Sequence, residues 1–231
     1  MNPAINKHLK KISELRRICN IAFDKNLLDT HSGNISQGIG KNNLLISKTG
    51  RSLIDLKPSD FTIVPLKKSK AEKSKAGESS GASSEIEIHR FILSCFPGST
   101  IFHSHPLNSI ALTLNMLESN GVNIGKFKDS PLIIKKIYKK YPDLDEIVPL
   151  DFESAYFFPK IYVFPLELIE DIKTNSLKTE FKAKDIFKEN GVFMIKTHGS
   201  FSWGKTPLDA LRWTMTLEAS SKIISACKNR S

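Results

Sequence analysis

The feature that most constrains the fold of this chain is a pair of histidines, His103 and His105, which directly follows the apolar run Thr100-Ile101-Phe102. Such a run predicts a strand, and side chains two positions apart on a strand point to the same face of the sheet. The two imidazoles can therefore bind one metal ion together. A single pair of this kind is about as often two hydrogen-bonded polar side chains at a strand end, so both interpretations stay open at this point.

A third histidine favours the metal. His198 follows the predicted strand Gly191 to Lys196, as the first pair follows its own strand. Three imidazoles leave a fourth position for water or substrate, and such an open position separates a catalytic zinc site from a closed structural one. The pattern predicts a metalloenzyme if the three histidines converge.

Glu85 is a candidate catalytic carboxylate, because it lies only eighteen residues before His103 at the start of a predicted helix. One interpretation is a capping glutamate in the first turn of that helix. The other is a metal ligand that becomes a general acid/base once substrate displaces it. His89 lies four residues further on the same helix face. A histidine bonded to Glu85, or packed under the sheet, is a simpler interpretation of His89 than a metal ligand.

Three clusters of small residues are candidates for a phosphate pocket. Backbone N–H groups at turns and helix starts, together with hydroxyl and amide side chains, can bind a dianion without a Walker-type loop. Each cluster alone is more simply a turn, but all three accompany a candidate metal site. The clusters are Gly33-Asn34, Ser47-Lys48-Thr49-Gly50 and Ser83-Ser84.

The arrangement of helices and strands predicts one α/β domain over residues 1–231, with a central, mainly antiparallel sheet flanked by helices. A polar segment at 67–82, with no apolar residue larger than alanine, predicts a mobile loop. Apolar periodicity predicts strands on both sides of a turn within 35–47, and at 61–66, 100–104 and 191–196. It predicts helices at 4–28, 83–96, 107–117, 132–138, 167–172 and 208–227.

Composition argues against two classes of partner. The net charge of +10 attracts polyanions in general, but the lysine clusters at 67–75 and 135–140 carry no aromatic ladder or recognition motif, so we expect no nucleic acid partner. Apolar stretches are too short to cross a bilayer, and the N-terminus lacks a signal-peptide core. Three widely spaced cysteines are typical of free thiols in a reducing compartment, so we expect a cytoplasmic protein.

The motifs, taken in order, resemble those of the class II aldolase/adducin family, and the pattern is most similar to its fuculose-phosphate aldolases. The resemblance covers most of the chain. It rests on His31-Ser32-Gly33-Asn34-Ile35-Ser36, on Leu45-Ile46-Ser47-Lys48-Thr49-Gly50, on Ser83-Ser84-Glu85 with His89, on His103-Ser104-His105-Pro106, and on the segment Val192 to Gly204 with His198-Gly199.

The resemblance implies a role for each candidate residue. A zinc ion, or another divalent ion such as Mn²⁺ or Co²⁺, would be bound by His103, His105 and His198. Glu85 would be a ligand in the resting state and the acid/base residue during turnover. The family also implies a C4 homotetramer with active sites between subunits. The phosphate of a sugar phosphate substrate would be bound by Gly33, Asn34, Thr49, Gly50, Ser83 and Ser84.

The same resemblance implies cleavage of a ketose 1-phosphate to dihydroxyacetone phosphate and an aldehyde. Other members of the family are dehydratases, 4-epimerases or decarboxylases, and adducin-like members lack the metal histidines. The epimerases tend to carry aspartate where Glu85 stands. The dehydratases tend to carry their catalytic glutamate about twenty residues beyond the histidine pair, and the region around Phe127 offers none. We therefore expect an aldolase, with those activities and a non-catalytic module as alternatives.

Overall fold

The structure is a computed structural model, and it describes residues 3–67, 81–118, 145–173 and 188–228. Its helices are α1 (Pro3–Asn6), α2 (Leu9–Asp24), α3 (Ile86–Cys95), α4 (Leu107–Glu118), α5 (Phe152–Phe157), α6 (Glu167–Lys173) and α7 (Pro207–Lys228). Its strands are β1 (Asn34–Ile39), β2 (Asn43–Ser47), β3 (Phe61–Pro65), β4 (Thr100–Ser104), β5 (Asp145–Ile147), β6 (Ile161–Phe164), β7 (Gly191–Ile195) and β8 (Gly199–Gly204).

The eight strands form one sheet in the order β3-β2-β1-β4-β8-β7-β6-β5. Strands β6 and β7 pair in parallel, and the other neighbouring strands pair antiparallel. This mixed, mainly antiparallel sheet confirms the predicted fold class. Strand β4 lies near the middle of the sheet between β1 and β8, so His103 has a paired strand on each side.

Helices cover both faces of the sheet. Side chains along each strand alternate between the two faces, and apolar side chains on both faces pack against helices. On β4, Ile101 packs in the cluster formed with α3 and α6, whereas Phe102 packs in the cluster formed with α2 and the start of α7. A third cluster, which includes Leu112 and Leu217, covers the β6–β7 end with α4 and α7. The result is a layered α/β/α arrangement in which odd-numbered residues of β4 face α3.

Several predicted elements have different limits in the structure. The helix predicted at 4–28 is two helices that end at Asp24. In the stretch 118–160 only a helix at 132–138 was predicted, and the described part of this stretch contains β5 and α5. Strand β8 was not predicted. Residues 68–80 of the predicted loop and the predicted helix at 132–138 lie outside the described residues. None of the described helices has the length and apolar character needed to cross a membrane.

Candidate functional site

The three histidines singled out by their spacing converge at one end of the sheet. His103 lies on β4, His105 follows the end of that strand, and His198 lies in the three-residue connection between β7 and β8. Antiparallel pairing of β4 with β8 brings the connection beside the β4 end. One ring nitrogen from each histidine lies within 4.8 Å of the others, and Nε2 of His103 is 3.0 Å from Nε2 of His105.

Glu85 is the carboxylate that joins this cluster. It stands at the N-cap position of α3, but its side chain makes no capping hydrogen bond. Instead, Oε1 lies 2.5 Å from Nε2 of His198, and Oε2 lies 3.2 Å from Nε2 of His103. Of the two interpretations of Glu85 from the sequence, the geometry favours the one in which the carboxylate belongs to the histidine site.

The donor set fits a divalent cation. Nδ1 of His103 is 2.9 Å from the carbonyl oxygen of Ser200. Since a carbonyl only accepts, Nδ1 carries the hydrogen, and the Nε2 lone pair faces the Glu85 carboxylate and His105. This lone pair and the ionised carboxylate repel each other, and a bound cation would offset that repulsion. Nitrogens bound to one tetrahedral zinc ion are about 3.3 Å apart, which is close to the 3.0 Å between His103 and His105.

Burial favours the neutral imidazoles of His103 and His105, and the neighbours of Glu85 favour its charged carboxylate, as metal ligation requires. Burial lowers the pKa of His103 to about 3, against an opposing effect of Glu85. Burial also lowers the pKa of His105, with a further contribution from His198. For Glu85, burial raises the pKa, but the combined effects of His103, His198 and Asn34 are larger and hold it well below its usual range.

Close packing fixes the histidine rings. The ring of His103 stacks on Phe201 with centroids 4.2 Å apart and lies parallel to His198 at 4.9 Å. Gly199 makes room for this arrangement, because a Cβ added there would lie 2.5 Å from the carbonyl oxygen of Ser104 and 2.8 Å from Cδ2 of His105. The glycine after His198 is therefore a steric requirement of the cluster, and sequence reasoning missed that role.

The three small-residue clusters meet beside the histidine site. Ile35 N–H donates to Oγ of Ser47 at 3.1 Å, and the N–H of Ser83 donates to the carbonyl of Ser47 at 3.2 Å. Thr49 N–H donates to the carbonyl of Gly81 at 3.0 Å. The loop after β2 thus lies against the start of α3, with Thr49, Gly50 and Ser84 exposed and Asn34 and Ser83 buried.

Gly33 and Asn34 connect the small-residue clusters to the histidines. Gly33 has φ +92°, and a Cβ there would lie 2.7 Å from the carbonyl oxygen of His103, so the backbone needs glycine for this approach. Asn34 pairs with His103 across β1 and β4, and its Nδ2 donates to Oε2 of Glu85 at 2.6 Å. Asn34, predicted to bind phosphate, therefore directly contacts the catalytic candidate.

His89 is packed under the sheet, as the simpler of its interpretations predicted, but its partners are not Glu85. The buried ring contacts Ser36 Oγ at 2.6 Å and Asn34 Oδ1. Ser36 was missed by sequence reasoning. A signal was present, because Ser36 lies two residues after Asn34 on one strand and so shares its face.

The chain belongs to the class II aldolase/adducin family, since the family's sequence model, Class II Aldolase and Adducin N-terminal domain, matches residues 13–225. A methylthioribulose-1-phosphate dehydratase from Methylococcus capsulatus is 28% identical over 191 residues, which cover 81% of this chain and 79% of that protein.

Two solved structures share the fold. L-fuculose-1-phosphate aldolase from Thermus thermophilus superposes with a TM-score of 0.66 at 20% identity, covering 96% of each chain. YgbL from Escherichia coli, described as a putative aldolase/epimerase/decarboxylase, superposes with a TM-score of 0.60 at 20% identity, covering 93% of this chain and 87% of that one. These relatives have several activities, so likeness alone does not select one for this chain.

Proposed function

We propose that the chain is a metal-dependent aldolase that cleaves a ketose 1-phosphate, similar to fuculose 1-phosphate, to dihydroxyacetone phosphate and an aldehyde. The observation that carries this proposal is the position of Glu85, with one carboxylate oxygen 2.5 Å from His198 and the other 3.2 Å from His103. A carboxylate beside a three-histidine cluster is available to move a proton on a substrate held there.

His103, His105 and His198 would bind the divalent cation, with Glu85 as a further ligand in the absence of substrate. We propose zinc, and Mn²⁺ or Co²⁺ would suit the same nitrogen and oxygen donors. The bound cation would supply Lewis-acid polarisation of the ketose carbonyl. The Nδ1 hydrogen bond from His103 to the Ser200 carbonyl holds this imidazole in the tautomer that presents Nε2 to the ion.

Glu85 would carry the proton transfer. Cleavage of the bond between C3 and C4 removes the proton of the C4 hydroxyl and adds a proton at C3, so the site needs a group that can accept or donate one. Glu85 is ionised in the resting site, because its neighbours hold its pKa down. Loss of contact with His198 or His103 as substrate enters would raise the pKa of Glu85 and make it a better base.

The substrate phosphate would lie where the loop after β2 meets the start of α3. Gly33, Asn34, Thr49, Gly50, Ser83 and Ser84 are the proposed binding residues. The support for this part is their convergence through the Ser47–Ser83 and Thr49–Gly81 hydrogen bonds. Asn34 has a second Nδ2 hydrogen to offer to substrate while the first stays on Glu85.

A dehydratase acting on a phosphorylated sugar with the same metal site is the second candidate. The methylthioribulose-1-phosphate dehydratase from Methylococcus capsulatus favours it by sequence. The resemblance to epimerases and decarboxylases rests on fold alone. The position of Glu85 supports cleavage, since family dehydratases are expected to carry their acid/base glutamate beyond the histidine pair. A non-catalytic, adducin-like module would have no use for a histidine set with this geometry.

Two further parts of the proposal concern the whole protein. The expected homotetramer is a C4 assembly, in which a neighbouring subunit would complete the site. The expected location is the cytoplasm, and this is supported by the three cysteines, which form no disulfide among the described residues.

The decisive experiment combines metal content with a coupled assay. Protein purified without added metal or chelator is analysed by plasma emission, and we expect about one divalent ion per chain. Sugar 1-phosphates are then screened with a reductase that consumes dihydroxyacetone phosphate and NADH. Release of dihydroxyacetone phosphate supports the aldolase, whereas loss of water from the same substrates supports the dehydratase. Absence of metal after zinc is offered would sink both and leave the non-catalytic module.

A further inference from the structure

A buried row of polar side chains runs from β1 to Glu85. It consists of Ser36, His89, Asn34 and Glu85 in that order, and the first three are at most 6% exposed. Ser36 Oγ lies 2.6 Å from Nδ1 of His89, Nε2 of His89 contacts Oδ1 of Asn34, and Nδ2 of Asn34 lies 2.6 Å from Oε2 of Glu85. The row ends on the carboxylate that contacts two of the cluster's histidines.

The direction of every hydrogen bond in this row follows from its last member. An ionised carboxylate only accepts, so the atom of Asn34 that faces Glu85 must be the amide nitrogen. The amide oxygen then faces His89, and Nε2 of His89 must carry the hydrogen. Nδ1 of the same ring is left to accept, so the Ser36 hydroxyl donates to it. No other arrangement of a neutral His89 satisfies all four groups.

His89 is uncharged in this position. The ring is fully buried and packs edge to face against Phe201 with centroids 6.0 Å apart. Burial lowers the pKa of His89 to about 4, although the Glu85 carboxylate opposes the shift. A charged imidazole would have to donate from both nitrogens, and Ser36 would then lose its acceptor.

We infer that His89 is a positioning residue of this site, which acts through Asn34 to fix the orientation of the Glu85 carboxylate. The inference rests on the proposed function only in giving Glu85 the acid/base role. Without the Nε2 donor, the Asn34 amide keeps only its hydrogen bond to Glu85 and is no longer held in place from its other side. The amide and the carboxylate could then move together, and the carboxylate would lose its fixed orientation towards His198 and His103.

Two substitutions of His89 separate this role from packing. In His89→Gln the side-chain amide nitrogen reaches the former position of Nε2 and can still donate to Asn34. In His89→Asn the shorter amide reaches only as far as Nδ1 and leaves Asn34 without its donor. We expect His89→Asn to lower kcat about 10- to 100-fold with KM nearly unchanged, and His89→Gln to recover most of the loss.

A measurement that needs no turnover uses Co²⁺ in place of the native metal, because its visible absorption bands report the ligand set. Glu85→Gln should change the bands by removing the carboxylate. His89→Asn should change them in the same direction, and His89→Gln should keep the native spectrum. A native spectrum and native kcat in His89→Asn would overturn the inference.

Nitrogen NMR of the histidine rings tests the row in the metal-free protein. The signals of His89, identified by their loss in His89→Gln, should show Nε2 protonated and Nδ1 bare. The opposite tautomer would overturn the inference. Ser36→Ala removes only the donor to Nδ1 and should leave Nε2 protonated, because Asn34 Oδ1 still accepts from it. The tautomer of the native protein and of Ser36→Ala keeps the test decisive if His89→Asn does not fold. If the Co²⁺ absorption bands and the His89 tautomer are as expected but no sugar phosphate is cleaved, the aldolase proposal fails and the positioning role of His89 stands.

Discussion

His103 donates from Nδ1 to the carbonyl oxygen of Ser200 over 2.9 Å, across 97 residues of sequence. The contact follows from the register of β4 with β8, in which His103 lies opposite Phe201. Phe201 in turn stacks on the His103 ring. One strand therefore sets both the tautomer and the plane of this imidazole. Because strand pairing sets the orientation of the His103 ring, variants that disturb the sheet should weaken metal binding.

Glu85→Gln should keep the bound metal but lose activity by at least about 100-fold, since the amide cannot accept the proton. The remaining three histidines are enough to bind the ion. The measurements are kcat and metal content per chain on the same preparation. Glu87→Gln is the matched control, two residues along, where the carboxylate pairs with Arg90 at 2.8 Å. The activity of Glu87→Gln should stay near that of the native protein. If Glu85→Gln were as active as Glu87→Gln, Glu85 would have no part in the mechanism.

His103→Ala should release the metal, because the variant loses the most buried of the three proposed imidazole ligands. We expect the dissociation constant for zinc to rise by a factor of about 100 or more, as measured by competition with a chromogenic chelator. The control is His31→Ala, which removes an exposed histidine whose Nδ1 contacts the hydroxyl of Thr30 at 2.6 Å. Stoichiometric, tight zinc in His103→Ala would show that the ligand assignment is wrong.

Gly199→Ala should weaken metal binding and destabilise the fold. The added Cβ would lie 2.5 Å from the backbone oxygen of Ser104 and 2.9 Å from Cε1 of His103, so the rings must move. Overpacking of this kind costs about 1–3 kcal/mol. Gly40→Ala is a control in open space, with no heavy atom within 4 Å of the new Cβ and a cost that comes from φ +59° alone. Urea denaturation and zinc titration of both variants should separate the two effects.

Glu218→Ala should destabilise the protein through the helix that follows the histidine pair. The Glu218 carboxylate accepts from the N–H and side chain of Asn108 at 3.0 and 2.7 Å, and from the N–H and Oγ of Ser109 at 2.9 and 2.7 Å. It thereby caps α4 from α7. We expect a loss of about 2 kcal/mol, in the range of a lost helix cap. Glu218→Gln should recover part of the loss in a thermal or urea unfolding experiment, and an unchanged midpoint in both would argue against the cap.

The sequence predicted the fold class and the convergence of the three histidines, but not every strand of the sheet. Period-two spacing places His103 and His105 on one face, and the strand before His198 predicts its approach. Strand β8 was not predicted because Gly199 to Gly204, with a glycine at each end and two serines, resembles a turn. Its place in the sheet depends on pairing with β4, which is about 100 residues away in the sequence, and with β7. The Ser200 carbonyl is backbone and leaves no residue-type signal. The position of β8 and the contact of the Ser200 carbonyl with His103 both depend on the pairing of strands that are far apart in the sequence, rather than on local propensity.

The free energy of unfolding of the metal-free protein should fall as the pH falls from about 6.5 towards 4. Burial lowers the pKa of His89 to about 4 in the folded state, whereas the unfolded chain takes up that proton near pH 6.5. The unfolded state therefore binds more protons in this interval, and acid favours it. His103 contributes with the same sign, since its pKa is lowered to about 3.

His89→Gln isolates the part of this pH dependence that belongs to one side chain. Removing the buried imidazole should reduce the slope of unfolding free energy against pH by up to about 1.4 kcal/mol per pH unit between pH 6 and pH 4.5. Urea midpoints at pH 8, 6.5, 5.5 and 4.5 give both slopes, and any packing loss in the variant appears as a constant offset at pH 8. Parallel curves for the two proteins would mean that the pKa of His89 is the same in the folded and unfolded states, contrary to the lowering expected from its burial.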